Sequence, residues 1–296
     1  MANLPLPKHG KYFDLNVPSD EAVSTVSKRL TMLVYLGYEI VALTKFLPTT
    51  TSSKGKKKLI IPDPPSKVQL EETAEKILKD KGAELLQYTR ITIELAELDD
   101  VRKVREVLNA GVYDLVAVLP RTEKLFHSCC TEYNIDIICI DGSEPLPYIP
   151  RHNAIKSAIT RGLFFEVCYA PMIRNNTVRR HTISNVQKFA EFSKGKNHIM
   201  SGAAQIPMEV RGPYDVANIN TLFCVAKNIV THTVSKNCRA AVVHGFSRKT
   251  AKCAIYVQKK DIVTEDREIV KGKENNMKKL FDNNQNSPPL KKKKVE

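Results

Sequence analysis

The hydrophobic pattern of the chain alternates short, nearly continuous apolar runs with longer amphipathic stretches. Apolar runs without polar interruptions are typical of parallel β-strands that are buried on both faces of a sheet. Eight runs of this kind predict strands at residues 12–17, 39–44, 85–93, 115–119, 135–140, 164–170, 198–203 and 239–244.

The stretches between these runs predict helices, because their apolar residues recur at helical spacing. The helix predicted at 20–36 follows a start signal at Ser19-Asp20-Glu21. The helix predicted at 99–109 ends before Gly111, as expected from the preference for glycine after a helix. Two further helices are predicted at 177–193 and 214–228.

Eight strands that alternate with helices predict an α/β protein, a (β/α)8 TIM-like barrel that spans residues 1–257. A doubly wound open sheet is the alternative, but no Gly-x-Gly-x-x-Gly motif follows the first strand to favour it. Residues 47–66 interrupt the alternation with Pro, Ser, Thr and Lys, which predicts a mobile loop.

From residue 258 onward the chain loses its hydrophobic periodicity, which predicts a disordered basic tail at 258–296. Near its end, Pro288 and Pro289 precede a four-lysine cluster of the kind that is typical of a nuclear-import signal. The alternative is a tail that binds polyanions without specificity. The cluster consists of Lys291, Lys292, Lys293 and Lys294.

Simple features disfavour several classes of protein. No apolar run approaches the roughly 18 residues of a membrane span, and the first residues lack the apolar region of a secretory signal, so we expect no membrane association. The chain has 7 cysteines and no Cys-x-x-Cys motif. An odd count within apolar runs indicates reduced, buried thiols in a cytosolic or nuclear protein, rather than disulfides or a zinc site.

The net charge of +14 is distributed unevenly along the chain. Residues 1–160 carry 21 Lys and Arg against 21 Asp and Glu, whereas residues 161–257 carry 14 against 4. Most of the excess therefore belongs to the C-terminal half of the predicted barrel. Such a one-sided charge attracts polyanions, most commonly nucleic acid, although a merely solvated basic surface is the alternative.

A catalytic site in a barrel is expected at the C-terminal ends of the strands. Metal-dependent hydrolysis needs several His and carboxylate ligands close together, but no two of the 7 histidines lie within four residues of each other. No Walker loop, Gly-x-Ser-x-Gly elbow or kinase motif is present. We therefore predict no catalytic residue, metal ligand or bound cofactor in this chain.

Arginine and lysine collect at the predicted strand ends instead. The arginine guanidinium binds phosphate oxygens in a bidentate way, and Thr177 is placed to cap the following helix and turn its amides toward the same region. The alternative is that some of these side chains bridge loops to carboxylates, as Arg211 would with Asp215. The residues predicted to contact RNA are Arg174, Arg179, Arg180, Arg211, Arg248 and Lys249.

Four long segments resemble signature stretches of a known family. The sequence is similar to the thirty-kilodalton protein subunit of ribonuclease P, with a resemblance that extends over residues 12–252. The four segments are residues 114–127 (DLVAVLPRTEKLFH), 179–184 (RRHTIS), 211–218 (RGPYDVAN) and 237–250 (NCRAAVVHGFSRKT).

The resemblance implies a TIM-like barrel related to the polymerase and histidinol-phosphatase (PHP) superfamily. It implies a non-catalytic RNA-binding subunit of the ribonucleoprotein that removes the 5′ leader from precursor tRNA, with magnesium ions acting on the RNA. The implied partners are ribonuclease P RNA, ribonuclease MRP RNA with its role in ribosomal RNA processing, precursor tRNA indirectly, and a small ferredoxin-like protein subunit. The implied location is the nucleus, including the nucleolus.

Two other functions stay open at this point. A metal-dependent PHP-type phosphoesterase would use Asp14, Glu166, His127 and His244 as ligands, although Asp14-Leu15-Asn16 stands where those enzymes carry a His-x-His pair. A structural adaptor that binds only proteins would leave the uneven charge unexplained.

Overall fold

The computed structural model describes residues 11–49, 61–148, 150–223 and 229–250. Seven parallel strands form one sheet whose order follows the chain, and the sheet curves into a nearly closed α/β TIM-like barrel. Each strand lies within a few residues of a predicted one. The strands are β1 (Phe13–Pro18), β2 (Ile40–Leu47), β3 (Leu86–Leu95), β4 (Leu115–Pro120), β5 (Ile137–Cys139), β6 (Phe164–Cys168) and β7 (His198–Ser201).

Helices connect and cover the strands, and the four predicted helices correspond to the first, third, seventh and eighth of them. The eighth is shorter than predicted, because a 3-10 turn follows it at Asn220–Phe223. The helices are α1 (Val23–Tyr35), α2 (Glu72–Asp80), α3 (Val101–Ala110), α4 (Glu123–Thr131), α5 (His152–Thr160), α6 (Ala170–Arg174), α7 (Asn176–Ser193), α8 (Pro213–Ile219) and α9 (Lys236–Thr250).

The prediction of an eighth strand at 239–244 is wrong, because these residues lie in α9. The buried residues of this segment recur at helical rather than strand spacing: Cys238, Ala241, Val242 and Gly245. A continuous apolar run of four residues hid this period. Among the described residues the barrel therefore has seven strands and a closing helix.

Helix α9 lies across the N-terminal end of the barrel. The Asn237 side chain donates a hydrogen bond to the carbonyl oxygen of His198, the first residue of β7, at 2.7 Å. Arg248 donates to the carbonyl oxygen of Asp114, just before β4, at 3.2 Å. Gly245 permits the close approach, since a Cβ there would lie 2.5 Å from the same oxygen of Asp114. The helix thus seals this opening, and we refer to it as the α9 plug.

The barrel interior changes from apolar to polar along its axis. Alternate residues of each strand point inward, and a larger apolar core lies between the outer faces of the strands and the helices. The layer next to the α9 plug is apolar, whereas the next inward positions toward the C-terminal ends carry charged and polar side chains. The apolar layer consists of Phe13, Leu15, Ile40, Ala42, Tyr88, Leu115, Ala117, Ile137, Phe164 and Ile199.

Strands β1 and β7 meet through a side chain as well as the backbone. The N–H of Gly202 donates to Oδ1 of Asp14 at 3.0 Å, and the N–H of Ala203 donates to the carbonyl oxygen of Asn16 at 2.9 Å. Asp14 is buried, and its burial raises its pKa to about 6. The last gap of the barrel is therefore closed around a buried carboxyl group.

Both described ends of the predicted loop at 47–66 are attached to the barrel. Lys103 donates to the carbonyl oxygen of Pro48 at 3.1 Å, and the Tyr113 hydroxyl donates to that of Pro62 at 2.8 Å. Residues 50–60, the predicted tail at 258–296 and its lysines at 291–294 lie outside the described residues. Within the described part of the chain, no helix is both long enough and apolar enough to span a membrane.

Candidate nucleic-acid interface

A cavity of about 410 Å³ opens at the C-terminal ends of the strands, where barrel proteins hold their ligands. We refer to it as the mouth cavity. Its wall is formed by strand ends, by the loop after β5 and by the first turns of α7. Residues in this wall include Asn16, Phe46, Thr92, Asp141, Arg174 and Val178.

An ion pair lies beneath the mouth cavity. Arg90 on β3 and Glu166 on β6 are both completely buried, and the two guanidinium nitrogens donate to the two carboxylate oxygens at 2.5 Å each. Burial alone would raise the pKa of Glu166, but the charge and hydrogen bonds of Arg90 hold that pKa below its usual value. Both oxygens of Glu166 are thus occupied by a permanent cation.

The four candidate metal ligands do not converge. Both carboxylate oxygens of Glu166 are taken by an arginine, and Asp14 accepts backbone N–H groups where β1 meets β7. His127 is exposed on α4, and His244 bonds to the Asp136 carboxylate at 2.8 Å at the opposite end of the barrel. Across the described ranges, no three His, Cys, Asp or Glu side chains are grouped so as to hold a metal ion. This placement disfavours the phosphoesterase alternative.

Three of the predicted RNA-contacting arginines lie on α6 or in the first turns of α7, two helices that contribute residues to the mouth cavity. Arg174, the last residue of α6, lines the cavity and pairs with buried Glu209 at 3.1 Å. Arg179 and Arg180 are exposed in the first turns of α7, where Arg179 donates to the carbonyl oxygen of Met172 at 2.9 Å. Neither Arg179 nor Arg180 has an acidic partner among the residues that the structure describes. Their charges are therefore available to a ligand.

The start of α7 fixes the position of these two arginines. The side chain of Asn175 accepts hydrogen bonds from the N–H groups of Thr177 at 2.8 Å and Val178 at 3.4 Å. The prediction that Thr177 caps the helix is wrong, because Asn175 occupies the capping position two residues earlier. Arg179 and Arg180 therefore project from a capped helix rather than from a loose loop.

Arg211 follows β7 and is held by backbone oxygens. Its guanidinium donates to the carbonyl oxygens of Met208 at 2.7 Å and Val210 at 3.0 Å. Its own N–H donates to the Tyr169 hydroxyl at 3.1 Å. The predicted alternative, an ion pair with Asp215, is not among the ion pairs of the described residues.

Arg248 and Lys249 lie at the N-terminal end of the barrel, in the α9 plug. Their predicted position after an eighth strand, beside the other arginines, is wrong. The Arg248 side chain is only 6% exposed and lies 2.9 Å from the completely buried carboxylate of Asp136. Lys249 is exposed and lies 2.9 Å from Asp114. Arg248 thus neutralises a buried charge and is separated from the arginines of α6 and α7.

The sequence pattern missed two arginines that shape the mouth. Arg121, directly after β4, pairs with Glu94 at 2.7 Å and also with Asp141. Arg90 is inward-facing because it lies two residues beyond Tyr88 on the same strand. A single charge inside an apolar strand run was the signal that identifies Arg90, since a buried charge needs a buried partner.

Comparison with known proteins gives a consistent result over the same residues. The model of the family described as RNase P subunit p30 matches residues 11–250. The mouse ribonuclease P protein subunit p30 is 38% identical over 250 residues, which are 84% of this chain and 91% of the mouse protein. The Saccharomyces cerevisiae ribonuclease P/MRP protein subunit RPP1 is 26% identical over 216 residues, 70% of this chain and 71% of the yeast protein.

A solved structure shares the fold. One chain of a cryo-EM structure of archaeal ribonuclease P with mature tRNA has a TM-score of 0.57 and 13% sequence identity. The match covers 85% of this chain and 100% of the archaeal one. At this identity the likeness shows that the barrel architecture is common to both.

Proposed function

Because this chain belongs to the ribonuclease P p30 subunit family, we propose that it is a non-catalytic, RNA-binding protein subunit of ribonuclease P. The RNA of that particle removes the 5′ leader from precursor tRNA, and this chain stabilises the RNA fold. The yeast relative is named for both ribonuclease P and ribonuclease MRP. This supports a shared role of the chain in the processing of ribosomal RNA.

The observation that carries the RNA-binding proposal is a pair of cations at the start of α7 that have no acidic partner among the described residues. Arg179 and Arg180 are exposed, and no described carboxylate neutralises them. Folded RNA is recognised mainly through its shape, phosphates and 2′-hydroxyls, which suits guanidinium groups on a fixed helix. Arg174 and Arg211 flank the same region, whereas Arg248 and Lys249 would contact RNA only at the other end of the barrel.

No cofactor is proposed for this chain, and Mg²⁺ is expected to act with the RNA. The occupied carboxylate of Glu166 and the separation of His127 from His244 support this view. Elemental analysis of the purified chain tests it. Stoichiometric metal, with phosphatase turnover that is lost on chelation, would instead support the phosphoesterase.

The finer partners and location rest on the family resemblance. We expect a small ferredoxin-like protein subunit among the direct neighbours, and we expect entry into the nucleus and nucleolus through the lysines at 291–294. Replacement of these four lysines by Gln in a fluorescently labelled full-length chain should leave the protein in the cytoplasm. Unchanged nucleolar fluorescence would remove that role.

The first experiment is affinity purification of the tagged full-length chain from nuclear extract, followed by sequencing of the bound RNA. Enrichment of ribonuclease P or MRP RNA, with precursor-tRNA cleavage in the eluate, is the expected result. Absence of both RNAs from an intact, soluble preparation would contradict the proposed function.

A second experiment assigns the interface. The Arg179→Glu/Arg180→Glu variant should bind ribonuclease P RNA at least about tenfold more weakly, and the salt dependence should fall by about one or two phosphate contacts. The matched control is Arg102→Glu/Arg105→Glu, the same change of charge on the exposed face of α3. Equal losses in both variants would show a general charge effect instead of a specific interface.

A further inference from the structure

Among the described residues, the wall of the mouth cavity is electrically neutral, although the exposed Arg179 and Arg180 lie on a helix that contributes to it. Three charged residues line it, and each has an ion partner: Asp20 with Lys45 at 3.0 Å, Asp141 with an arginine, and Arg174 with a buried glutamate. The rest of the wall is apolar or uncharged and polar. The part of the cavity wall that the structure describes therefore offers a free anion or a metal ion no unbalanced charge.

The cavity also offers what a flat, uncharged, polar ring needs. Its volume of about 410 Å³ lies within the range of small-molecule sites. The Phe46 ring is 45% exposed at the end of β2, where it presents an apolar surface for stacking. Three polar side chains of the wall keep part of their hydrogen-bonding capacity for ring edges. The Thr92 hydroxyl accepts from Arg90 and can still donate, the Thr44 hydroxyl donates to Ala42 and can still accept, and the Asn16 amide nitrogen donates to Glu166 while its oxygen can accept.

Free positive charge begins directly beside this neutral wall. Val178 lines the cavity, and Arg179 and Arg180 follow it on α7. The Arg179 guanidinium is held at the carbonyl oxygen of Met172 on α6 at 2.9 Å, and neither arginine has an acidic partner among the described residues. A neutral cavity wall beside guanidinium groups without an acidic partner matches a nucleotide, whose base is uncharged and whose phosphates are anionic. Proteins that read single-stranded RNA extrude unstacked bases onto aromatic side chains in this way.

We infer that the mouth cavity binds one unstacked nucleobase of the RNA while Arg179 and Arg180 hold the adjoining phosphates. This inference rests on the proposed function, because it assumes that the arginine face binds RNA. It adds a base-binding site to a surface that would otherwise contact only the RNA backbone. The site lies where related barrel folds place their ligands.

The test combines a cavity-filling variant with crosslinking. Val178→Phe places a ring in the cavity without a change of charge, and should weaken binding to ribonuclease P RNA by about tenfold, the cost of one lost base stack. The salt dependence of binding should stay unchanged, because no phosphate contact is removed. Thr73→Phe, on an exposed position of α2, is the matched control and should bind as the unaltered chain does.

Ultraviolet crosslinking in the purified particle uses the unaltered full-length chain, so it decides the question even if Val178→Phe fails to fold. Crosslinked nucleotides on the peptides that contain Phe46 or Cys168 are expected. Crosslinks confined to peptides outside the cavity would overturn the inference.

The two proposals fail in different ways. If Val178→Phe binds RNA normally while Arg179→Glu/Arg180→Glu binds weakly, the base site is wrong and the RNA interface stands. If neither variant alters binding or its salt dependence, the RNA interface itself is wrong.

Discussion

The N–H of Gly202 on one side of the barrel seam donates to the carboxyl of Asp14 on the other, at 3.0 Å. A side chain at position 202 would displace this contact, since a Cβ there would lie 2.5 Å from Oδ2 of Asp14. The seam between β1 and β7 therefore depends on a glycine and on a carboxyl group that water does not reach. Its strength depends on the protonation state of Asp14.

We predict that Asp14 makes stability fall as pH rises from about 4 to about 6. Burial raises its pKa in the folded chain from 3.8 to about 6, so the folded state retains a proton that the unfolded state has released. The free energy of unfolding should decrease by up to about 3 kcal/mol over this interval from this group alone. Urea unfolding at several pH values measures the change.

The Asp14→Asn variant isolates this effect, because its amide oxygen still accepts the N–H of Gly202. The difference in unfolding free energy between the two proteins should change by about 3 kcal/mol across the interval and stay constant above it. Asp99→Asn, which removes an exposed carboxylate, is the control. A constant difference at every pH would show that burial does not raise the pKa of the seam carboxyl.

Removal of one partner from the buried ion pair should be costly. Arg90→Met leaves the Glu166 carboxylate uncompensated in the barrel interior, and should lower the free energy of unfolding by about 3–5 kcal/mol. Arg90→Met/Glu166→Leu should recover most of this loss, because no charge is then left unpaired. Arg102→Met breaks an exposed pair with Glu106 instead and should cost less than about 1 kcal/mol. Chemical denaturation of the unaltered chain and the three variants measures these losses. If the double variant recovered no stability, the predicted cost of an unpaired buried charge would be contradicted.

Arg248 and Arg179, both predicted to contact RNA, should differ in their effects on stability and on RNA binding. Arg248→Met removes the permanent cation beside buried Asp136 and leaves that carboxylate, among the described residues, only His244 and the N–H of Val116, so it should cost about 3 kcal/mol of stability without a change in the salt dependence of RNA binding. Arg179→Gln should leave the stability nearly unchanged, since the side chain is exposed, and should lower the salt dependence of RNA binding. Thermal unfolding and RNA titration of both variants distinguish the roles. A loss of salt dependence in folded Arg248→Met would return Arg248 to the RNA interface.

Because the α9 plug packs closely against the barrel at Gly245, a single added methyl group at this position should lower the free energy of unfolding. Gly245→Ala introduces a Cβ at 2.5 Å from the carbonyl oxygen of Asp114, so the helix has to shift, and we expect a loss of about 1–3 kcal/mol. Ser247→Ala is the control, because position 247 is exposed on the same helix. Equal stability of the two variants in urea unfolding would show that the plug tolerates the shift.

The strands of the barrel were predictable because each is marked by a short sequence pattern within the strand itself. Each of the seven strands is an apolar run bounded by polar turns, and parallel strands buried on both faces require such runs. The error at 239–244 has the same origin, since Ala240, Ala241, Val242 and Val243 satisfy a strand and a helix equally well. Only the buried positions at Cys238 and Gly245, outside that run, reveal the helical period.

The pairing of charges was not predictable, because partners lie far apart in the chain. Arg90 and Glu166 are 76 residues apart, and Arg248 and Asp136 are 112 apart. The sequence shows that each of these side chains is charged, but only the folded barrel shows which of them are neutralised. This distinction separates Arg179 from Arg248, although both were predicted to bind RNA.

The α9 plug also sets an order of events during synthesis. The apolar layer formed by strand residues from Phe13 to Ile199 stays open at one end until residues 236–250 have left the ribosome. A nascent chain that stops short of this helix exposes that layer, which makes it a substrate for chaperones and proteases. Completion of the barrel is thus coupled to translation of its last described segment.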